Sequence, residues 1–366
     1  MFKIKKIMLV FGTRPEAVKM CPLVNELKRR GGVKVVVCVT GQHREMLDQV
    51  LNAFSVVPDY DLEIMKQRQS LFDITVNILD SIKTVLDEVK PDVVLVHGDT
   101  PTSFVSALAC YFLHIPVGHV EAGLRTGNIY SPWPEEFNRQ AIDIIAEYYF
   151  APTEYSRQNL LAENKDDSKI YVTGNTVIDA MKTTIRGNYT HPELEWAKGS
   201  RLILITAHRR ENLGEPMRSM FRGIKRIIED YSDVKAVYPI HLNPLVREAA
   251  AEVFGDMERL HLVEPLDVVD LHNMMAHAYL FLTDSGGIQE EAPSLGLPVL
   301  VMRDTTERPE GVAAGTLKLV GTDEEVIYKT TKELLDNKEI YDAMTKVSNP
   351  YGDGFACERI ADILLK

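Results

Sequence analysis

Short apolar runs recur along the chain, each followed by a small-residue or charged turn and then by residues at helical spacing. Ile7-Met8-Leu9-Val10-Phe11 is the first; it leads into Gly12-Thr13-Arg14-Pro15-Glu16 and a helical pattern to Arg30. Pro15 suits a first helical turn, where its missing N–H has no bond to lose. Val33 to Val39 predicts a second strand, Gln42 to Phe54 a helix and Ser70 to Val89 a longer one. Strands are predicted again at Pro91 to His97 and Ile115 to Val120, running into Gly98-Asp99-Thr100 and Glu121-Ala122. A polar, aromatic loop spans Gly123 to Pro134, and a helix begins at Glu135.

From Arg186 to Ser200 the pattern weakens, which predicts a linker or hinge with a short helical piece. The design then restarts. Arg201 to Thr206 is a strand running into the basic loop Ala207-His208-Arg209-Arg210, and helices alternate with strands down to Ala278 to Leu282. That last strand enters Thr283-Asp284-Ser285-Gly286-Gly287-Ile288-Gln289-Glu290-Glu291. One more strand, Val299 to Met302, and two helices complete the second half. Strands alternating with helices predict an α/β fold with parallel sheets. The strands are apolar throughout rather than alternating, as expected when both faces of a sheet are covered. Two Rossmann-like domains are expected, 1–180 and 181–352. The Pro/Gly break at Asn349 to Gly354 sets off a last helix, 353–366, expected to leave its own domain and dock on the first.

Composition narrows the function. The length of 366 residues suits two domains, and 45% hydrophobic with 26% charged residues is ordinary for a soluble protein. A net charge of −12 argues against a general nucleic-acid or anionic-membrane binder, though not against a small anionic ligand met by local arginines. No apolar run approaches the ~18–20 residues needed to span a bilayer. The N-terminal residues lack a separate apolar segment and a cleavage site, so no signal peptide is read. Cys21, Cys38, Cys110 and Cys357 form no C-x-x-C pair, which predicts buried thiols in a reducing, cytoplasmic setting.

Ligands of parallel α/β sheets bind beyond the carboxyl ends of the strands. The residues collected there are Arg14, Lys19, Asp99 and Glu121 in the first half, and His208, Arg209, Arg210, Ser285, Glu291, Arg303 and Arg308 in the second. They converge only if two sheets face each other across a cleft. Ser285 is placed to cap a helix, Gly286 and Gly287 let a phosphate approach the backbone, and Glu291 suits a ribose diol. A strand-to-helix turn that uses Ser-Gly-Gly for geometry alone accounts for the stretch equally well. Asp99 and Glu121 also read as helix caps, and Glu135 with Arg139, four apart, as an ion pair on one helix face. His97-x-Asp99 and His119-x-Glu121 do not specify a metal. No P-loop or G-x-G-x-x-G after a strand is present, which weakens NAD or NTP chemistry.

Six segments carry a resemblance: Phe11 to Ala17, Val96 to Thr100, His119 to Thr126, Ser131 to Glu136, His208 to Asn212, and Thr283 to Pro309. In order and over essentially the whole chain they resemble the non-hydrolysing UDP-N-acetylglucosamine 2-epimerases. The resemblance implies a GT-B-like pair of domains and interconversion of UDP-GlcNAc and UDP-ManNAc through 2-acetamidoglucal and UDP, with no metal or NAD. It implies acid/base roles for Asp99, Glu121 and Glu135, with Asp99 the first choice for proton abstraction. His208 and Arg14 match positions that help UDP leave, and Lys19 and Arg139 match positions tied to activity. Ser285, Gly286, Gly287, Glu291 and Arg308 would hold UDP. A second, regulatory UDP-GlcNAc site is implied at Gln42, Arg68, Gln69, Arg210 and His241, with Glu45 departing from the usual glutamine. A homodimer without membrane or nucleic-acid partners is the corresponding expectation. A hydrolysing relative that releases ManNAc, a GT-B glycosyltransferase and a silent UDP-sugar sensor are the alternatives.

Overall fold

The computed structural model describes residues 4–41, 44–65 and 69–366, the side chains of residues 44 and 45 excepted. The chain forms two compact units, Met1–Thr183 with Gly352–Lys366, and Thr184–Tyr351. The first unit runs β1 (Lys5–Phe11), α1 (Arg14–Arg30), β2 (Val33–Val39), α2 (Arg44–Ala53), β3 (Tyr60–Asp61), α3 (Leu71–Val89) and β4 (Val93–His97). It continues through α4 (Pro101–Phe112), β5 (Val117–Val120), α5 (Glu135–Ile145), β6 (Tyr148–Ala151), α6 (Glu154–Ala162), β7 (Ile170–Val172) and α7 (Thr176–Thr184). The second unit has α8 (Pro192–Ala197), β8 (Arg201–Thr206), α9 (Glu215–Asp230), β9 (Val234–Pro239), α10 (Pro244–Phe254), β10 (Leu260–Val263), α11 (Val268–His277) and β11 (Leu280–Thr283). It ends with α12 (Gly286–Glu291), β12 (Val299–Val301), α13 (Pro309–Ala314), β13 (Leu317–Leu319), α14 (Glu324–Asp336) and α15 (Lys338–Thr345), and α16 (Ala356–Leu364) returns to the first unit.

All strand pairs are parallel. The first sheet has the order β3-β2-β1-β4-β5-β6-β7 and the second β10-β9-β8-β11-β12-β13. Both orders step outward one way from the first strand and then reverse. The reversal between β1 and β4, and between β8 and β11, makes a topological switch point in each unit. Leu9, Val10, Phe11, Val94, Leu95 and Val96 are fully buried, as are Ile203, Leu204, Phe281 and Leu282, because helices cover both sheet faces.

The helix starts follow local chemistry. Thr13 and Glu16 form a capping box on α1, and Thr100 caps α4 through Ser103 N–H, so Asp99 is not a cap. Ser285 makes no cap bond: its own N–H donates to Thr283 Oγ1 at 2.9 Å, which corrects the cap expected there. The helix that follows is a single short stretch, Gly286–Glu291, continued by a tighter turn to Leu295. The segment expected as a linker contributes α8 to the second unit, where Trp196 stacks on His261 with centroids 3.6 Å apart and Glu193 bonds His261 Nδ1 at 2.5 Å. The short strands β3 and β13 carried too little pattern to be expected. α16 packs on α1, held by Lys5 Nζ to Leu364 O at 2.6 Å and by the Arg30–Asp362 ion pair. All four cysteines are free and buried, and burial pushes the Cys21, Cys38 and Cys110 thiols up to about 12. Among the described residues, no helix is long and apolar enough to cross a membrane.

Candidate active site

At the first switch point one buried carboxylate joins two loops. Glu16 Oε2 accepts from Gly12 N–H (2.9 Å) and Thr13 N–H (2.8 Å), while Oε1 accepts from the Thr100 hydroxyl (2.6 Å) and lies 2.9 Å from Ser103 Oγ. The loop that starts α1 with Arg14 is thereby tied to the loop that carries Asp99. Gly12 allows the approach: a Cβ there would lie 1.9 Å from Thr40 Oγ1.

Two carboxylates follow neighbouring strands in this unit. Asp99 pairs with Arg139 Nη2, and its carbonyl accepts from Asn138 Nδ2 at 2.8 Å. Arg139 also lies 3.3 Å from Glu136, so the pair expected with Glu135 is not the one formed. Its guanidinium is turned toward the loop after β4, and the buried Glu136 meets it while bonding Thr126 N–H and Gly127 N–H. Glu135 heads α5, half-buried. Glu121 sits just past β5 in the left-handed region (φ 69°). Its Oε2 pairs with buried Lys19, accepts from Asn175 Nδ2 at 3.2 Å, and lies 3.5 Å from His97 Nε2. Burial alone would raise the Glu121 carboxyl, but Lys19 and His97 outweigh it and hold it well below the usual carboxylate range. On β5 itself His119 has both ring nitrogens occupied, Nδ1 by Asp143 Oδ1 at 2.6 Å and Nε2 by Gly98 O at 2.7 Å. Among the described residues no three His, Cys, Asp or Glu side chains are grouped as a metal ion requires.

The second switch point repeats the device. Asp284, fully buried, accepts from His208 N–H (2.9 Å to Oδ2), Arg209 N–H (2.9 Å) and Asn212 Nδ2 (3.2 Å). The His208 loop is thus bound to the Ser285-Gly286-Gly287 turn. Burial lowers the His208 ring below the ordinary histidine range; His241 and Arg209 push the same way, against Asp284. Arg308 donates from Nε to Glu290 Oε1 and from Nη1 to Glu307 Oε1, both at 2.6 Å. Arg303 and Arg209 also reach Glu307, at 2.8 and 3.4 Å. Burial would raise the Glu307 carboxyl, yet Arg308 and Arg303 hold it at about 2. A Cβ on Gly286 would lie 2.7 Å from Arg308 Nη1, so glycine keeps this turn open beside the guanidinium. Glu291 lies 3.4 Å from His272 Nε2, and His272 Nδ1 meets Thr184 Oγ1 at 2.6 Å.

The family model of UDP-N-acetylglucosamine 2-epimerase matches residues 25–365. The chain is 60% identical over 360 residues to the UDP-N-acetylglucosamine 2-epimerase of Bacillus subtilis, covering 98% of this chain and 95% of that one. This chain belongs to the UDP-N-acetylglucosamine 2-epimerase family. Solved relatives share the fold. The MnaA–UDP co-structure from S. aureus is 52% identical, covers 98% of this chain and 96% of that one, and has a TM-score of 0.92. The UDP-GlcNAc 2-epimerase from Neisseria meningitidis, bound to UDP-GlcNAc, is 48% identical over 98% of this chain and 99% of that one, with a TM-score of 0.91. The two parallel-sheet units are the GT-B-like architecture expected of the epimerase family.

Within the first unit the structure brings Lys19 to Glu121 and Arg139 to Asp99, and Arg14 begins α1 at the loop tied down by Glu16. Within the second it brings His208 to the Ser285 turn through Asp284, and Arg308 beside Gly286. Gln69 bonds Ile64 O at 2.8 Å, Arg210 is exposed, and His241 stacks on His208 with centroids 5.5 Å apart. Gln42 and Arg68 lie outside the described residues, as does the Glu45 side chain. Sequence reasoning missed Glu16, Asp284, His272 and Asn175 as site residues. Glu16 and Asp284 stood inside quoted motifs, and an acid next to a strand-end turn was the available signal.

Proposed function

We propose that the chain interconverts UDP-GlcNAc and UDP-ManNAc without net hydrolysis, by elimination and re-addition of UDP. The observation that carries this reading is the pair of carboxylates after β4 and β5, each held by its own cation. Glycosyl transfer alone needs no acid/base groups at C2. The C2 hydrogen is not acidified by an adjacent carbonyl, so departure of UDP has to assist its loss. In the forward step a carboxylate takes the C2 proton, the C–H pair forms the C1=C2 bond, and the C1–O pair leaves with UDP. The product is 2-acetamidoglucal. Re-addition of UDP at C1 with a proton delivered to the other face of C2 gives the epimer. Atoms and charge balance with no net redox change, so the chemistry calls for neither nicotinamide nor metal.

Asp99 is the first choice for proton abstraction, with Glu121 and Glu135 as the other acid/base groups. Lys19 and Arg139 hold two of these carboxylates. His208 and Arg14 would ease departure of the diphosphate, Ser285, Gly286, Gly287 and Arg308 would hold it, and Glu291 would take the ribose. The relatives solved with UDP and UDP-GlcNAc support the ligand. Deuterium incorporation at C2 in D₂O with UDP-sugar conserved is the test. Accumulation of free ManNAc in place of UDP-ManNAc would refute it.

Allosteric activation by UDP-GlcNAc is part of the same proposal. It is supported by the contact of His241, a residue of the implied regulatory set, with His208. Starting from pure UDP-ManNAc, a lag abolished by trace UDP-GlcNAc is expected; its absence would refute activation. The resemblance also supports a homodimer and a cytoplasmic setting, the former read by sedimentation.

A further inference from the structure

Two buried histidines lie on adjacent strands of the first unit, and they differ in one respect. His119 has a partner for each ring nitrogen, as a core histidine ordinarily does. His97, with 5% of its surface exposed, has Nε2 buried and without a hydrogen-bond partner among the described residues. That nitrogen is not aimed into apolar packing. It lies 3.5 Å from Glu121 Oε2, at the outer limit of hydrogen-bond reach. The backbone of His97 is held in place: the Ser103 hydroxyl donates to its carbonyl at 2.6 Å. A buried ring nitrogen without a well-formed hydrogen bond costs free energy, so a small closure onto Glu121 is favourable.

We propose that His97 is a positioning residue for the C2 chemistry, donating from Nε2 to Glu121 Oε2 so that Oε1 is presented to the sugar. This inference rests on the function proposed above. The groups that face Glu121 come from different elements: Lys19 from α1, His97 from the end of β4, and Asn175 from the start of α7. All are directed at Oε2. The other oxygen, Oε1, has no hydrogen-bond partner among these groups. Lys19 and His97 both favour the ionised carboxylate, the form that accepts a proton. Left-handed backbone at Glu121 (φ 69°) is further cost that the converging donors offset.

The test compares His97→Phe, which keeps a planar ring without nitrogens, with His97→Gln, which restores an N–H donor. In His97→Phe, kcat for C2 exchange is expected to fall roughly 10- to 100-fold, the loss of one hydrogen bond to a charged group, with KM changed less than about threefold. The acidic limb of the kcat–pH profile moves to higher pH, because a donor to the charged form is gone. His97→Gln recovers most of the rate. Unchanged kcat and an unmoved limb in His97→Phe overturn the proposal, as does a His97→Gln enzyme no better than His97→Phe. Titration of ¹³C-carboxyl-labelled glutamates, with Glu121 assigned through Glu121→Gln, reads the same contact without turnover. Its resonance is expected to titrate at higher pH in His97→Phe, and an unshifted titration also overturns the proposal. A wild-type enzyme that incorporates no deuterium at C2 refutes the proposed function instead, and the carboxyl titration still decides the contact.

Discussion

Removing the Asp284 carboxylate tests whether the His208 loop and the Ser285 turn are built as one piece. Asp284→Ala leaves the N–H groups of His208 and Arg209 without the acceptor they now share at 2.9 Å. Each unsatisfied buried donor costs about 1–3 kcal/mol. Asn212 Nδ2 loses its 3.2 Å bond but remains 3.4 Å from Met302 O, so it adds little. Relief of the cost of burying a carboxylate works the other way. The expected net loss is roughly 3 kcal/mol for Asp284→Ala and about half that for Asp284→Asn, whose amide oxygen can replace Oδ2 but whose NH₂ would face the His208 N–H that Oδ1 now meets at 3.1 Å. The two tryptophans divide between the units, Trp133 in the first and Trp196 in the second. Urea unfolding followed by Trp196 emission in a Trp133→Phe background therefore reports on the second unit. The loss should appear there, with UDP affinity reduced about tenfold in Asp284→Ala as the loop loses its tether. A loss under about 1 kcal/mol with UDP affinity intact would refute the reasoning.

Asp99→Asn is expected to abolish deuterium exchange at C2 while UDP affinity changes less than about twofold; retained exchange would remove Asp99 as the base. His272→Ala is expected to weaken UDP binding about fivefold by removing one partner of Glu291, and to have little further effect in a Glu291→Gln background; calorimetry of the double-mutant cycle reads both. The Glu307 carboxyl titrates at about 2 folded, against about 4.3 unfolded, so its contribution is present above about pH 4.3 and is lost as pH falls toward 2. The contribution is about 3 kcal/mol, and Glu307→Gln should flatten acid unfolding of the second unit over that window.

The strand-end positions were legible because apolar runs stop there and polar loops begin. Arg14, Asp99, Glu121, His208 and the Ser285 turn all follow strands, where that rule expected them. The partners of those residues were not. Arg139 was assigned to Glu135 by helical spacing, but the guanidinium reaches Asp99, forty residues away in sequence. Helical spacing says which side chains share a face. It does not say what lies opposite that face.

By itself, then, the alternation of apolar strands and helices determined two parallel α/β units, since strands without polar positions must be covered on both sides. Only tertiary structure decided the strand order and hence the switch points, which depend on which hydrogen-bonding edges meet. It also decided that Glu16 and Asp284 join loops rather than face solvent, and that His97 is buried beside Glu121 while His119 is satisfied in the core. Burial, orientation and ion pairing depend on residues brought together from distant parts of the chain, and a local pattern carries no record of those neighbours.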